Sequence, residues 1–193
     1  LILASGSASR RAMLTAAGIA HEADPSDVDE DVIKAAMAGK PMSDLALELA
    51  AAKALDVSAR HPGRLVLGGD SIASVGDRRF GKPASRDDAE AHLRHFSGQD
   101  MVLTSAAVLA RDRVRVAEIV DAAYLSVRPL SDAFIADYLA REWPAISGCA
   151  GCFRMEGQGV QLFDRVEGDH FTILGLPLMP LLSALRAEGL LIA

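Results

Sequence analysis

The run RLVLGGDS, residues 64–71, limits the possible folds more than any other stretch of the chain. Its apolar residues are consecutive rather than alternating, so a strand there must be covered on both faces. Such strands lie between layers of helices, and helical patterns precede this one. Residues 9–17 place Met13, Leu14 and Ala17 at helical spacing before Gly18, and residues 43–59 are rich in Ala and Leu. The Gly-Gly-Asp that ends the run is expected to turn the chain.

The remaining stretches extend this alternation. Residues 1–4 predict a short buried strand, and HEADPSDVDEDV (21–32) an acidic turn leading into a helix. SIASVGDRRF alternates around Gly76-Asp77, a hairpin signal, and Ser85 with Asp88 resembles a capping box before a helix with Ala89, Leu93 and Phe96 on one face. Residues 101–110 and 113–127 predict strands. Ser131 to Arg141 predicts a helix with Phe134, Ile135, Tyr138 and Leu139 inward; GVQLFDRVEGD predicts strand and turn, and a last helix reaches about Glu188. The expected class is α/β: a mixed, twisted sheet with flanking helices in a single domain over residues 1–193.

Composition excludes some functions. A net charge of -6 argues against a nucleic-acid partner, because nonspecific binding to a polyanion relies on basic surface. No apolar run approaches the ~20 residues of a membrane span, and no basic segment precedes an apolar leader, so no membrane partner and a cytoplasmic location are expected. Cys149 and Cys152 have no second pair with which to build a four-cysteine zinc site, and they read as packed or reduced thiols.

Chemistry concentrates in a few places. In LILASGSASRR a strand runs into small hydroxyl residues and then a helix, a geometry that offers backbone N–H groups and a favourable dipole to an anion. Arg10 shares the inward face of Met13, Leu14 and Ala17, whereas Arg11 is turned about a hundred degrees away. A serine N-cap followed by surface arginines explains the same residues equally well. Lys53 continues the stripe of Leu45 and Leu49, either as an inward cation or as a snorkelling stem. Asp70 follows the buried run, where open α/β sheets place ligands. Gly76, Gly81 and Lys82 satisfy G-x-x-x-x-G-K, but Pro83 lacks the hydroxyl that a phosphate-binding loop needs there, which leaves Lys82 a lone cation. The acidic run Asp24, Asp27, Asp29, Glu30 and Asp31 reads as a solvated approach to a helix; to bind a metal it needs a distant carboxylate, and Asp70 is the obvious one. His92 borders the apolar face of its helix and reads as structural.

These residues together resemble the Maf family of nucleotide pyrophosphatases, also called septum-formation inhibitor proteins. The resemblance covers nearly the whole chain and rests on LASGSASR, the AAKA around Lys53, GGD, FGKP and FSG, followed by the tail CAGCFRMEGQGVQLFDRVEGD and LGLPL. It implies two α/β lobes around a cleft, similar to the inosine-triphosphate pyrophosphatase architecture, and cleavage of nucleoside triphosphates to monophosphate and pyrophosphate. By the same resemblance, Asp70, Lys82, Lys53 and Arg10 are catalytic and Ser5, Ser7, Ser9, Ser71 and Glu156 bind substrate. Glu30 and Asp70 hold Mg²⁺ or Mn²⁺.

Ala8 replaces the family's proline. Ser9 stands where one branch has Arg and another Trp. At the positions of Ser71 and Glu156 the branch acting on pyrimidine triphosphates has Thr and Gln, and the branch acting on 7-methyl-GTP has Gln and Glu. Glu156 and the CAGCF and MEG segments place the chain closer to the 7-methyl-GTP branch. The competing reading is a nucleotide-binding regulator of cell division that needs no catalysis and has a division-machinery partner. The oligomeric state stays open, a homodimer included.

Overall fold

The computed structural model describes residues 1–192. In chain order the elements are β1 (Ile2–Leu3), α1 (Ala8–Ala16), β2 (Glu22–Ala23), α2 (Glu30–Ala36), α3 (Met42–Ser58), β3 (Val66–Val75), β4 (Arg78–Phe80), α4 (Arg86–Phe96), β5 (Asp100–Arg111), β6 (Val114–Val127), α5 (Asp132–Glu142), β7 (Phe163–Glu167), α6 (His170–Leu174) and α7 (Leu178–Ala187), with 3-10 turns at Ala145–Gly148 and Gln158–Leu162. The strands form one mixed sheet in the order β2-β1-β3-β5-β6-β7, with β4 paired to β3. Flanked by helices, it is the α/β class that the alternating patterns predict. The chain divides into two compact units. One comprises residues 1–71, 104–121 and the segment from His170 onward; the other comprises residues 72–103 and 122–169.

In the first unit β1 pairs in parallel with both β2 and β3, with Ile2 opposite Glu22 and Val66. The connection through α1 runs from β1 to β2, and the one through α2 and α3 runs back past β1 to β3. Right-handed crossovers in opposite directions put the two sets of helices on opposite faces. The side chains follow the strand period of two. Leu3, Leu65 and Leu67 join Met13, Leu14, Leu181 and Leu185 on one face, and Ile2, Ala4 and Val66 join Val57 of α3 on the other.

The Gly-Gly-Asp segment does not turn the chain. β3 runs through it to Val75, and the turn comes at Gly76, with φ of 55°, into the antiparallel β4. The glycines answer to crowding instead. A Cβ on Gly68 would lie 2.0 Å from the Ala50 carbonyl oxygen, so only glycine lets α3 come this close to the strand. A Cβ on Gly69, on the other face, would lie 3.1 Å from Arg10 Nε and 3.2 Å from Leu176 Cδ2.

The second unit contains the antiparallel pairs β3–β4 and β6–β7, the latter with an irregularity at Ser126/Val127. Helix α4 buries Ala89, Leu93 and Phe96 as expected. Its Ser85 cap accepts from the Asp88 N–H, while the Asp88 carboxylate reaches back to the Ala84 N–H, one residue earlier than a strict capping box. Helix α5 buries Ile135, Tyr138 and Leu139. Phe134 is only half-buried, because the Arg128 guanidinium lies 4.1 Å over its ring and keeps it at the edge.

Candidate active site

Two cations meet β3 from opposite sides. Arg10 enters from the first turn of α1, whose N-cap Ser7 accepts from the Arg10 backbone N–H, so the serine cap and the inward arginine occur together. Arg10 is 9% exposed and Arg11 is exposed, as the helical phase predicts. The guanidinium donates from Nε to the Gly175 carbonyl at 2.8 Å, from Nη1 to Ser5 Oγ at 3.1 Å and from Nη2 to Ser71 Oγ at 3.0 Å. All three acceptors are neutral. Among the described residues Arg10 forms no ion pair, although buried charges are ordinarily paired. Burial lowers its pKa, against the more distant pull of Asp70 and Glu30. With three of five N–H donors used, the fork keeps one donor on each terminal nitrogen, the geometry that receives two oxygens of a carboxylate or phosphate.

Lys53 approaches the other face from α3, one turn beyond Ala50, and its stem is buried. Its ammonium lies 2.7 Å from Asp70 Oδ1 and 2.7 Å from Glu30 Oε1. The period of two explains the partition: Gly68 and Asp70 face α3, and Gly69 and Ser71 face Arg10. Glu30 opens α2 after the Asp29 cap. Burial works to raise the Glu30 carboxyl, but the hydrogen bond and charge of Lys53, helped by Lys34, hold it at about 2. One ammonium thus bridges the two carboxylates, and a second, that of Lys34, lies 3.0 Å from the other oxygen of Glu30.

The hydroxyls beside Arg10 are constrained by their single protons. Ser5 Oγ accepts from both the Ser7 N–H and Arg10 Nη1, which occupies its two lone pairs and leaves an O–H donor. The Ser7 amide, which the sequence offered to an anion, is thereby committed to Ser5. Ser9 Oγ donates to the Leu174 carbonyl at 2.8 Å, at the end of α6. Arg10, Ser9 and Ser71 thus all meet the stretch from Leu174 to Gly175, where φ of 106° at Gly175 demands glycine.

Lys82 and Glu156 belong to the second unit and both are exposed. Each acts through its charge on Cys149, whose thiol is raised first by burial and then by Glu156. Cys152 is buried and free, and burial pushes its thiol up to about 12, the behaviour of a packed cysteine rather than a redox nucleophile. Its sulfur lies 3.4 Å from His92 Nδ1, and the His92 ring packs edge-on against Phe80.

Residues 1–188 match the family model described as Maf-like protein. The chain belongs to the Maf family. Its similarity to curated Maf relatives is end to end. It is 48% identical over 193 residues to a nucleoside triphosphate pyrophosphatase of Sphingopyxis alaskensis, covering 98% of each chain. It is also 48% identical over 191 residues to a 7-methyl-GTP pyrophosphatase of Rhizobium etli, covering 98% of this chain and 96% of the relative. A nucleoside triphosphate pyrophosphatase of Bradyrhizobium diazoefficiens is 44% identical, covering 99% and 95%.

Within this Maf chain, the two carboxylates brought together on Lys53, Glu30 and Asp70, could hold a divalent cation. Carboxylate oxygens are hard donors that suit a divalent cation, and the Lys53 ammonium already holds one oxygen of each at 2.7 Å, which leaves the other oxygen of each, that of Glu30 shared with Lys34, for such an ion. No group of three or more potential ligands occurs among the described residues. Sequence reasoning missed Ser105 of β5, whose Oγ lies 2.9 Å from Ser71 Oγ. It sits inside the apolar run MVLTSAAVLA, where nothing marks one serine as a partner.

Proposed function

We propose that this chain hydrolyses nucleoside triphosphates to a nucleoside monophosphate and pyrophosphate. The observation that carries the reading is the buried, unpaired guanidinium of Arg10 beside Lys53 and its two carboxylates. A triphosphate supplies the missing negative charge, and a water needs a carboxylate to orient it. The names of the relatives support the same reading.

In this mechanism the water oxygen bonds to the α-phosphorus and the bond from that phosphorus to the β-bridging oxygen breaks. Pyrophosphate leaves with the electron pair. Asp70, held at Oδ1 by Lys53, orients the water and takes its proton through the other carboxylate oxygen. The two remaining N–H donors of Arg10 and the O–H of Ser5 hold α-phosphate oxygens, and their contacts strengthen as charge develops there. Ser7 and Ser9 fix the start of α1 in place. Lys82 adds a cation for the leaving phosphates. Glu30 and Asp70 would hold Mg²⁺ or Mn²⁺, which would neutralise phosphate charge. Each cation–phosphate pair at ~4 Å contributes on the order of 4 kcal/mol at an effective dielectric near 20, before desolvation is subtracted.

For the base, the reading favours a 7-methylguanine-like nucleotide. Glu156 is acceptor-only, matches two N–H donors on a guanine edge, and is attracted to a ring that methylation makes cationic. The chain acts as one domain in the cytoplasm.

The test is phosphorus NMR of nucleoside triphosphate turnover in ¹⁸O water with Mg²⁺ or Mn²⁺. Pyrophosphate and label on the monophosphate are expected. Release of orthophosphate from a triphosphate, or label on pyrophosphate, overturns the reading.

A further inference from the structure

Ser105 is fully buried in β5, and its hydroxyl sits in a row of polar atoms that ends at Arg10. Arg10 Nη2 donates to Ser71 Oγ at 3.0 Å, Ser71 Oγ and Ser105 Oγ are 2.9 Å apart, and Ser105 Oγ donates to the Thr172 carbonyl at 2.8 Å. Each hydroxyl has one proton, and counting protons fixes the direction of the row. If Ser105 donated to Ser71, its oxygen would face the Thr172 carbonyl at 2.8 Å with no hydrogen between them. Ser71 would then be left with only its 3.3 Å contact to the Gly175 carbonyl. The opposite direction forms two short bonds and forfeits only that long one. The row therefore runs from the guanidinium through Ser71 and Ser105 to Thr172. Thr172 is fixed in turn, since its Oγ1 donates to Asp121 Oδ2 at 2.7 Å.

We infer that Ser105 is a positioning residue for Arg10, acting through Ser71. By taking the Ser71 proton it aims a lone pair of Ser71 at Nη2, and each bond in such a row polarises the next. Without Ser105, the Ser71 proton turns toward Gly175, and Ser71 Oγ still accepts from Nη2 but with a lone pair whose direction is no longer fixed. The guanidinium can then rotate away from the orientation in which its two remaining donors meet one phosphate group. This inference rests on the phosphate-binding role proposed for Arg10.

The experiment is a double-mutant cycle with an arm that does not depend on activity. Ser105→Ala is expected to lower kcat/KM by about fivefold to tenfold, the scale of one buried hydrogen bond, mainly through kcat. In a Ser71→Ala background the same substitution is expected to change nothing further, because Ser105 acts only through Ser71. Equal effects in both backgrounds would mean that Ser105 matters only for packing and would overturn the inference. In the second arm, nitrogen-15 NMR follows the Arg10 side chain. Slow rotation of the guanidinium in the unsubstituted protein and faster rotation in Ser105→Ala are expected; unchanged rotation overturns the inference. Should Ser105→Ala fail to fold, Ser105→Cys fills the site with a slightly larger thiol and weakens the bonds, and both arms are repeated on it. An unsubstituted protein that releases no pyrophosphate sinks the hydrolase reading, and the NMR arm then decides the inference alone.

Discussion

Arg10 and Lys53 are two largely buried cations on opposite faces of one strand, and the fold treats them differently. Lys53 is held by two carboxylates at 2.7 Å, and Arg10 by two hydroxyls and a carbonyl. A buried charge without an ionic partner is costly, and the proposed mechanism gives Arg10 that partner in the phosphate of the substrate. The Lys53 face therefore serves the carboxylates, fixing where Asp70 and Glu30 point. In the proposed mechanism Arg10 holds the phosphate oxygens and Asp70 the attacking water.

The comparison is tested most severely by Asp70→Asn, which leaves the Arg10 face intact. On the order of a hundredfold loss of turnover or more is expected with the fold retained, the scale of a general base; near-normal pyrophosphate release would move the chemistry elsewhere. Next comes the pair of arginines. Arg10→Ala is expected to lower kcat/KM at least tenfold, about 1.4 kcal/mol, whereas Arg11→Ala, from an exposed position, contributes only a screened field and costs much less. Equal losses, measured at matched ionic strength, would erase the distinction between an inward and an outward arginine.

The two glycines separate the faces by their effect on stability. Gly68→Ala drives a Cβ into the Ala50 backbone and is expected to cost about 1–3 kcal/mol in a urea melt, the usual range for overpacking. Gly69→Ala meets the Arg10 side chain and Leu176 instead, so its main expected effect is a fall in kcat/KM with a smaller loss of stability. The reverse ranking would contradict the assignment of faces.

The smallest effect is electrostatic. Glu30 titrates at about 2 in the folded chain, below its ordinary 4.5, so the contribution it makes is complete above pH 4.5 and is lost as pH falls toward 2. Glu30→Gln should flatten that part of the acid stability curve. The change is modest, because Glu30 is more than a third exposed and solvent screens the pair. An unchanged acid limb would mean that Lys53 does not hold Glu30 in solution.

Much of this was legible in the sequence where the signal is local. Helical phase separated Arg10 from Arg11 and placed Lys53 on the stripe of Leu45 and Leu49, and both cations lie inward. The two-residue β2 and five-residue α6 gave no signal, since neither is long enough to show a period. The glycines before Asp70 read as a turn, because glycine signals backbone freedom in a sequence and gives no hint of a helix backbone packed against one of them or of an arginine side chain that must pass over the other.

The sequence by itself determined the α/β alternation, the helical phase that sets Arg10 apart from Arg11, and the motifs that mark the Maf family. Periodicity and spacing belong to neighbouring residues, so they survive without the fold. Tertiary structure alone decided that Lys53 bridges Glu30 to Asp70, that Gly68 and Gly69 admit a helix and an arginine on opposite faces, and that Ser105 directs Ser71. Each of these joins residues far apart in the chain. Which donor meets which acceptor is settled only when packing fixes their distances, and for Ser71 and Ser105 only by the number of protons they have to share.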